Sequence, residues 1–451
     1  MDIYKIICRN VVVPLWATYE RSPYLKHLKH LDKSQYFNFE EIRAMQWEKL
    51  KKLLNHAYKN ISFYRRRFDS EGIQLDAISS WEDYSKVPFL TKEDVRNHKG
   101  SLFAPNFDKY IKFYTSGSTG IPIEGYRNKI CNEFKRACGL RSSLWSGYNL
   151  GERVYCLYGN PEKKKTWKGE LRRKLLDRVE FLDTLNLSEK SMMEFASVLR
   201  RKPPSLIYGH AHNMYIFSRF LEKKRINDIK PKGMYSAGMV LHDWEKEQVE
   251  RVFNCKFQDR YGCEELGLIA AECKKQEGLH INTDDLYVEF INKAGKSVAP
   301  GIPGHIVITD LSNYVMPFIR YKIGDIGIPS DKKCSCGKTQ PLIERIQGRV
   351  ADFIITPEGK CISGISLTDH FGASIPGVAQ MQIVQEKIDL LTLNIVKGNG
   401  FNDNSLATIR DLVKTYFGEN MRFDCKFVEK IPQEASGKYR FTICKIDNPF
   451  L

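Results

Sequence analysis

Thr115-Ser116-Gly117-Ser118-Thr119-Gly120-Ile121-Pro122 follows a short apolar and aromatic run, residues 110–114, that predicts a β-strand. Two glycines let the backbone of this stretch approach a polyanion, and four hydroxyl side chains stand beside backbone N–H groups as hydrogen-bond donors. The stretch is not a Walker loop, because no Gly-Lys-Ser/Thr follows. By itself it is either a phosphate-binding loop or a flexible turn, and its place after a strand favours the loop.

Thr115 to Pro122 resembles the phosphate-binding motif of the adenylate-forming enzymes, which include acyl-CoA synthetases, peptide-synthetase adenylation domains and luciferases. Ile123 stands where that family often has Lys, which removes one phosphate contact but leaves the loop. The resemblance implies that the ATP phosphates are bound by Thr115, Ser116, Gly117, Ser118, Thr119 and Gly120.

Two further motifs follow in the order of the same family. Ser236-Ala237-Gly238 resembles the small-residue turn whose backbone packs on adenine. Asp259-Arg260-Tyr261-Gly262-Cys263-Glu264-Glu265 resembles the aromatic-Gly-x-x-Glu motif. The resemblance implies that Asp259 and Gly262 belong to the nucleotide site, that Tyr261 stacks on adenine, and that Glu265 coordinates Mg²⁺, an ion that prefers carboxylate and phosphate oxygens.

The last three motifs lie towards the C-terminus. Arg320-Tyr321-Lys322-Ile323-Gly324-Asp325 resembles the motif whose Asp hydrogen-bonds both ribose hydroxyls, which implies this role for Asp325. Gly348-Arg349-Val350-Ala351-Asp352 resembles the hinge motif, in which Arg349 would also reach the ribose; Ala351 stands where the family usually has Asp or Lys. Ala435-Ser436-Gly437-Lys438-Tyr439-Arg440 resembles the catalytic lysine motif, in which Lys438 would bridge the substrate carboxylate and the α-phosphate.

The chain length of 451 residues predicts two domains, since one hydrophobic core rarely extends so far. Strand-like and helix-like patterns alternate over 150–270, which indicates an α/β core. We expect a large multi-subdomain N-terminal domain over 1–348, with β-sheets flanked by helices, and a small mobile α+β domain over 349–451. The clearest expected elements are helices over 40–70 and from Thr91, strands near Ile383 and over 390–396, and a helix over 406–416.

Three cysteines and one histidine form a candidate metal site outside these motifs. Six residues separate Cys273 from His280, and Cys334-Ser335-Cys336-Gly337 follows in the same predicted domain. Three thiolates and one imidazole suit tetrahedral Zn²⁺, and a site closed by four protein ligands is structural. Because Cys-x-Cys is shorter than the usual zinc-finger spacing, buried free thiols remain the alternative.

The formal net charge of +16 indicates either a solvated basic surface or attraction to anionic membranes or to phosphorylated substrates such as ATP and CoA. No aromatic or groove-reading motif accompanies the basic clusters, so we expect no nucleic-acid partner. The twelve cysteines are interpreted as reduced, and no secretory signal is recognised, which predicts a cytoplasmic protein. The apolar run over 11–16 is too short to span a bilayer and either docks on the protein or touches a membrane surface.

Three other residues carry weaker hypotheses. His210 and His212 follow an apolar strand, and they either line an acyl pocket or are ordinary core or surface residues. Cys263 has no evident base near it in the sequence, so we do not interpret it as a nucleophile.

The opening segment and the Cys-x-Cys resemble the phenylacetate–CoA ligase-like proteins associated with capsular polysaccharide synthesis. Three functions remain open. The first is the activation of a carboxylic acid as an acyl-adenylate with transfer to CoA; the second is transfer to an amine such as an amino sugar. The third is a non-catalytic nucleotide-binding protein in a polysaccharide assembly complex, against which Glu265, Asp325 and Lys438 argue.

Overall fold

The computed structural model of the chain describes residues 2–107, 109–114, 123–158, 166–184, 187–238, 241, 243–292, 294–347, 353–363, 367, 371, 375–431 and 441–446. In these residues the helices are α1 (Tyr4–Ile7), α2 (Val13–Tyr19), α3 (Tyr24–Ser34), α4 (Phe39–Asn60), α5 (Ser62–Ser70), α6 (Trp81–Tyr84), α7 (Lys92–Asn97), α8 (Lys129–Trp145), α9 (Trp167–Arg172), α10 (Glu189–Arg201), α11 (Ala211–Lys223), α12 (Asp243–Phe253) and α13 (Asp403–Phe417). The π-helical turns are Cys8–Val12 and Arg173–Asp177, and a 3₁₀ turn covers Leu75–Ala77.

The strands in the described residues are β1 (Ile111–Tyr114), β2 (Glu124–Arg127), β3 (Val154–Tyr158), β4 (Val179–Asp183), β5 (Leu206–Gly209), β6 (Gly233–Ala237), β7 (Phe257–Cys263), β8 (Gly267–Glu272), β9 (Leu279–Ile281), β10 (Leu286–Ile291), β11 (Gly304–Asp310), β12 (Tyr321–Ser330), β13 (Leu342–Gln347), β14 (Phe353–Ile355), β15 (Cys361–Ser363), β16 (Val378–Lys387), β17 (Leu390–Lys397), β18 (Arg422–Phe427) and β19 (Thr442–Cys444).

Capping side chains explain where two of the predicted helices begin. Asn38 accepts a hydrogen bond from the Glu41 N–H at the start of α4, and the Glu41 carboxylate accepts one from the Asn38 N–H. Thr91 and Asp94 form the same reciprocal pair at the start of α7, which confirms the predicted N-cap. Helices α4 and α5 confirm the helical pattern over 40–70.

Pro14 accounts for the π-helical turn between α1 and α2. Proline has no N–H, and its ring clashes with the carbonyl four residues earlier, so a regular α-helix cannot continue through it undisturbed. The helix widens over Cys8–Val12 and then continues to Tyr19. One side of this N-terminal segment packs through Cys8, Val13 and Ala17 into a cluster that includes residues of α3 and α8.

A mixed sheet of eleven described strands forms the centre of the large domain, in the order β10-β11-β12-β13-β9-β8-β7-β6-β5-β3-β4. From β7 to β4 the neighbours pair in parallel, and from β10 to β7 they pair antiparallel. Helices α10, α11 and α12 cover one face of the parallel half over Ile207 and Met234. Helix α8 covers the other face, over Leu206 and Tyr235. This arrangement confirms the predicted α/β fold.

The C-terminal residues form two smaller sheets. The order β18-β17-β16-β19 makes a four-stranded sheet, and β14 pairs with β15. Helix α13 packs on the larger of them through Ile409, Val413 and Phe417, which confirms the expected α+β unit and its elements. The predicted boundary between 348 and 349 lies outside the described residues, between the end of β13 and the start of β14.

No helix in the described ranges combines the length and the apolar character that crossing a membrane requires. The eleven cysteines whose side chains the structure describes are all free.

Candidate functional site

The carboxyl ends of three neighbouring parallel strands, β5, β6 and β7, carry several of the candidate nucleotide-binding residues. In open α/β sheets this edge is the usual place for ligands. Ser236 and Ala237 are the last residues of β6, so the expectation that they form a turn is wrong. Ser236 pairs with both β5 and β7, and Ala237 pairs with β7, which keeps both residues extended. The turn begins at Gly238, whose φ of +85° lies in the left-handed region that favours glycine.

Ser236 and Asp259 meet across the β6–β7 pair. They are opposite each other in the register, and Ser236 Oγ donates to Asp259 Oδ1 at 2.8 Å. The Asp259 N–H donates to the Glu272 carboxylate at 2.9 Å, and Lys246 Nζ lies 3.1 Å from both oxygens of Glu272. Burial, and then the Glu272 charge, raises the pKa of Asp259 to about 7. This carboxyl therefore changes its protonation state near neutral pH.

Tyr261 and Asp325 are joined directly by a hydrogen bond, although they are 64 positions apart along the chain. The Tyr261 hydroxyl donates to Asp325 Oδ2 at 2.7 Å, which connects β7 to β12. Gly262 follows Tyr261 at a bulge between β7 and β8, and a Cβ there would lie 2.6 Å from the Gly267 carbonyl oxygen. Only glycine fits this position without moving backbone, so Gly262 maintains the bend that presents the Tyr261 ring.

Glu265 lies between β7 and β8 and is only 4% exposed. The Tyr321 hydroxyl donates to its Oε1 at 3.3 Å, and the Cys263 thiol also hydrogen-bonds to it. Within the described part of the chain, no Lys, Arg or His side chain forms an ion pair with Glu265. Burial, and then Glu265, raises the pKa of Cys263 well above its ordinary value, which keeps it a thiol and agrees with its not being interpreted as a nucleophile.

Two basic side chains fix the backbone on either side of Glu265. Lys135 Nζ, on α8, donates to the Leu266 carbonyl at 2.9 Å and pairs with the buried carboxylates of Asp285 and Asp310 at 2.8 and 3.0 Å. Arg127 Nη2 donates to the Glu264 carbonyl at 2.7 Å. Because the backbone is held on both sides of Glu265, its carboxylate points in a defined direction.

His210 lies at the end of β5, beside the Gly238 turn. Its ring is buried against Tyr158, with ring centroids 4.2 Å apart. A Cβ on Gly238 would lie 3.2 Å from the His210 ring. Burial lowers the pKa of His210 to about 4, so the ring is neutral. The side chain of His212 lies outside what the structure describes.

Cys273, His280, Cys334 and Cys336 come together at the far end of the β8–β9 hairpin. Their ligand atoms all lie within 4.8 Å of one another. The Sγ atoms of Cys273 and Cys334 are 3.5 Å apart, and Cys336 Sγ is 3.4 Å from His280 Nε2. The pair Cys273 and His280 is far in sequence from the pair Cys334 and Cys336. The sheet brings the two pairs together, because β13 pairs with β9 and places Leu342 opposite His280.

The surroundings of this Cys–His cluster suit a cation. Backbone N–H groups of Lys275 and Lys338 donate to Cys273 Sγ and Cys336 Sγ at 3.4 Å each, an interaction that favours thiolate sulfur. Burial lowers the pKa of His280 to about 4, so its imidazole is neutral, as metal ligation requires. Gly337 has a φ of +82°, which allows the tight turn after Cys336.

Several predicted residues are not described. The loop from Thr115 to Pro122, Arg349 and Lys438 all lie outside the described residues. Conversely, the sequence assigned no role to Glu272, which contacts Asp259, or to Tyr321, which contacts Glu265. It also missed Lys246, the partner of Glu272, and Lys135, which holds the Leu266 carbonyl beside Glu265. The signal that could have found Glu272 is the antiparallel register of β7 and β8, and this register depends on the bulge at Gly262.

Comparisons with known proteins agree with this fold. A family model described as the CapK C-terminal domain matches residues 354–445. The chain is 23% identical over 457 residues to protein CapK of Staphylococcus aureus, covering 98% of both chains. It is 26% identical over 339 residues to phenylacetate-coenzyme A ligase of Thermus thermophilus, covering 70% of this chain and 72% of that enzyme.

Solved structures show the same architecture. The structure of 2-hydroxyisobutyryl-CoA ligase in complex with 2-HIB-AMP and CoA, in its thioesterification state, aligns over 90% of both chains with a TM-score of 0.62 and 20% identity. The chain is thus homologous to CapK and to the phenylacetate-coenzyme A ligases, and its fold is that of the adenylate-forming acid–CoA ligases.

Proposed function

We propose that the protein uses ATP to activate a carboxylic acid and then transfers the acyl group to CoA. In the first step a carboxylate oxygen attacks the α-phosphorus of ATP, the bond to pyrophosphate breaks, and an acyl-adenylate forms. In the second step the CoA thiolate attacks the acyl carbon and AMP leaves, while the thiol proton goes to solvent. Homology to the phenylacetate-coenzyme A ligases supports this assignment.

The observation that carries the proposal is the pair of hydrogen bonds Ser236–Asp259 and Tyr261–Asp325 at one edge of the sheet. They bring together four residues with the chemistry that an adenosine needs. Asp259 accepts from the adenine amino group, and the Tyr261 ring stacks on the base. Asp325, already oriented by the Tyr261 hydroxyl, accepts from the ribose hydroxyls, since a carboxylate is an acceptor at both oxygens.

Roles for residues outside the described ranges rest on the motifs alone. We assign the phosphates to the loop from Thr115 to Gly120 and a further ribose contact to Arg349. Lys438 is assigned to the charge that builds between the substrate carboxylate and the α-phosphate, where a fixed cation stabilises the transition state.

The surroundings of Glu265 fit Mg²⁺. Glu265 is a buried carboxylate that forms no ion pair among the described residues, and carboxylate oxygen is a ligand that Mg²⁺ prefers. When bound there, Mg²⁺ would offset the charge of the ATP phosphates. Glu265→Gln keeps the hydrogen bond from Tyr321 and removes the charge, so we expect it to raise the Mg²⁺ concentration for half-maximal activity by about tenfold. An unchanged Mg²⁺ requirement would contradict the assignment.

Pyrophosphate release tests the function as a whole. Purified protein is assayed with ATP over a panel of aryl and alkyl carboxylic acids, alone, with CoA and with amino sugars. Acid-dependent pyrophosphate release that leads to an acyl-CoA, identified by mass, is the expected result. Pyrophosphate release that does not depend on an added acid would overturn the acyl-CoA assignment. An acyl-amine product that forms without CoA would also overturn it. The similarity to CapK over 98% of both chains is the reason to place the reaction in surface polysaccharide biosynthesis.

We also propose that the Cys–His cluster binds a structural Zn²⁺. Three sulfurs and one imidazole nitrogen within 4.8 Å of one another supply the four ligands of a closed tetrahedral site. Such an ion would join the β8–β9 hairpin to the loop before β13. Because Glu272 directly precedes Cys273, the ion would also support the carboxylate that contacts Asp259.

A further inference from the structure

The N-terminal helical segment, residues 3–19, has apolar side chains on two opposite sides. On the inner side, Cys8, Val13 and Ala17 are buried in a cluster with residues of α3, α8 and the π-helical turn Arg173–Asp177. The segment is also hydrogen-bonded to the π-helical turn Arg173–Asp177: the Tyr4 hydroxyl and Cys8 Sγ donate to the Leu175 carbonyl at 3.0 and 3.3 Å. The segment is therefore a docked part of the large domain and keeps a fixed outer side.

The outer side carries six large apolar side chains that are between 47% and 72% exposed, here called the N-terminal apolar face: Ile3, Ile6, Ile7, Val11, Leu15 and Tyr19. Five of them are spaced by four residues. In a regular α-helix four such steps would rotate the row by about 160° around the axis. The wider π-helical turn Cys8–Val12 offsets part of this rotation, so that the row remains on one side.

The number of exposed apolar side chains in this segment is unusually high for the described part of the chain. Six of the twenty large apolar side chains that are markedly exposed in the described ranges fall within these 17 positions, from residue 3 to residue 19. Two more, Leu171 and Leu175, belong to the neighbouring segment that Tyr4 contacts. Contiguous apolar surface of this kind marks an interaction site.

The charges around the N-terminal apolar face are unbalanced towards positive. Its acidic neighbours are neutralised by arginines: Asp2 by Arg178 at 2.7 Å, and Glu20 by Arg172 at 2.6 Å. By contrast, four cations next to the face have no ion-pair partner in the described part of the chain: Arg9, Arg21, Lys26 and Lys174. Arg21 and Lys26 also line an open groove between α2 and α3, where the face ends.

We propose that the N-terminal apolar face docks on the surface of an anionic phospholipid bilayer, with the helix lying in the plane of the interface. Exposed aliphatic side chains enter the acyl region, Tyr19 lies at the headgroup level, and the unpaired cations contact lipid phosphates. A second copy of the chain fits the face less well, because each copy has a net charge of +16 and would bring the same cations together. This inference does not depend on the proposed reaction.

Vesicle sedimentation tests the proposal. The full chain is mixed with vesicles of phosphatidylcholine alone and with vesicles of equimolar phosphatidylcholine and phosphatidylglycerol, at low and high salt. We expect binding to the anionic vesicles that weakens as salt rises. Val11→Ser/Leu15→Ser should lower the partition coefficient about tenfold or more, and Arg9→Glu/Lys174→Glu should lower it by at least about fivefold for each cation.

A matched control removes exposed apolar side chains elsewhere. Ile388→Ser/Phe427→Ser changes two exposed residues of the C-terminal unit and should bind vesicles as the unmodified chain does. Because all these side chains are exposed, melting temperatures should stay the same, which separates lost docking from lost folding. Failure of the unmodified chain to bind anionic vesicles would overturn the proposal, as would equal binding by Val11→Ser/Leu15→Ser. A dimer in lipid-free solution that this variant converts to monomers would assign the face to a second copy instead.

Discussion

The candidate nucleotide site and the Cys–His cluster are neighbours on the chain, since Glu272 contacts the first and Cys273 belongs to the second, yet they are built differently. In the nucleotide site polar side chains satisfy one another, as Tyr261 does with Asp325. In the Cys–His cluster, the Sγ atoms of Cys273 and Cys334 come from two separate segments and lie 3.5 Å apart. The hydrogen bonds of the first site hold its residues in place without a ligand, whereas the proposed Zn²⁺ would add a link between the segments of the second. Changes in the first should therefore affect activity, and changes in the second should affect stability.

The largest effect on activity is expected at Lys438. Lys438→Ala should lower the rate of acyl-adenylate formation by about 10²–10³-fold, because a preorganised cation at the reacting phosphate is lost. The melting temperature should not change. Acid-dependent pyrophosphate release and a thermal melt measure the two quantities, with Lys426→Ala, an exposed lysine of the same C-terminal unit, as the control. Near-normal release by Lys438→Ala would show that this motif is not the catalytic one.

The Cys–His cluster should show the opposite behaviour. Protein purified without chelator should contain about one equivalent of zinc by elemental analysis. Cys334→Ser should lower the metal content and reduce the melting temperature by roughly 5 °C or more, because metal binding is coupled to folding. Cys425→Ser, outside the cluster, should do neither. If the unmodified protein contains no zinc and melts as Cys334→Ser does, the four residues are buried thiols and a histidine without a metal role.

A graded pair of substitutions tests the adenosine half of the site. Asp325→Ala removes two charge-assisted hydrogen bonds to ribose, so the KM for ATP should rise by the equivalent of about 2–4 kcal/mol. Tyr261→Phe keeps the ring for stacking and removes the hydroxyl that orients Asp325, which should cost about 1 kcal/mol, or roughly fivefold. Both variants should melt as the unmodified protein does. An Asp325→Ala enzyme with unchanged KM would remove the ribose assignment.

The smallest expected effect is a pH dependence at Asp259. Since burial raises the pKa of this carboxyl to about 7, it is mainly protonated at pH 6 and mainly ionised at pH 8. The ionised form is the better acceptor for an adenine amino group, so the KM for ATP should fall a few-fold as pH rises through 7. Asp259→Asn cannot ionise, and it should remove this part of the pH profile. The same slope in both proteins would assign the pH dependence to another group, such as the ATP phosphates.

Motif order predicted much of the candidate site because each motif is local. The Tyr261-Gly262 pair, the Asp325 strand and the ligand types of the cluster can all be recognised in short segments. The helices from Asn38 and Thr91 were predictable for the same reason, since a capping box needs only four consecutive residues. Ser236 and Ala237 were placed wrongly in a turn, because whether small residues form a strand end or a turn depends on the neighbouring strands.

The order of the amino acids specifies which side chains carry carboxylate, thiol, imidazole or aromatic chemistry and where along the chain they occur. Folding then selects which of these side chains come into contact. Tyr261 reaches Asp325, and Lys135 reaches Leu266, Asp285 and Asp310, only because an eleven-stranded sheet and α8 bring distant segments within hydrogen-bond range. Folding also decided which side of the N-terminal helix is buried, because a cluster with residues of α3 and α8 encloses Cys8, Val13 and Ala17, whereas the row from Ile3 to Tyr19 is exposed. Pairing and exposure are properties of packed surfaces, and hydrogen bonds and burial between distant residues do not exist until the chain has folded.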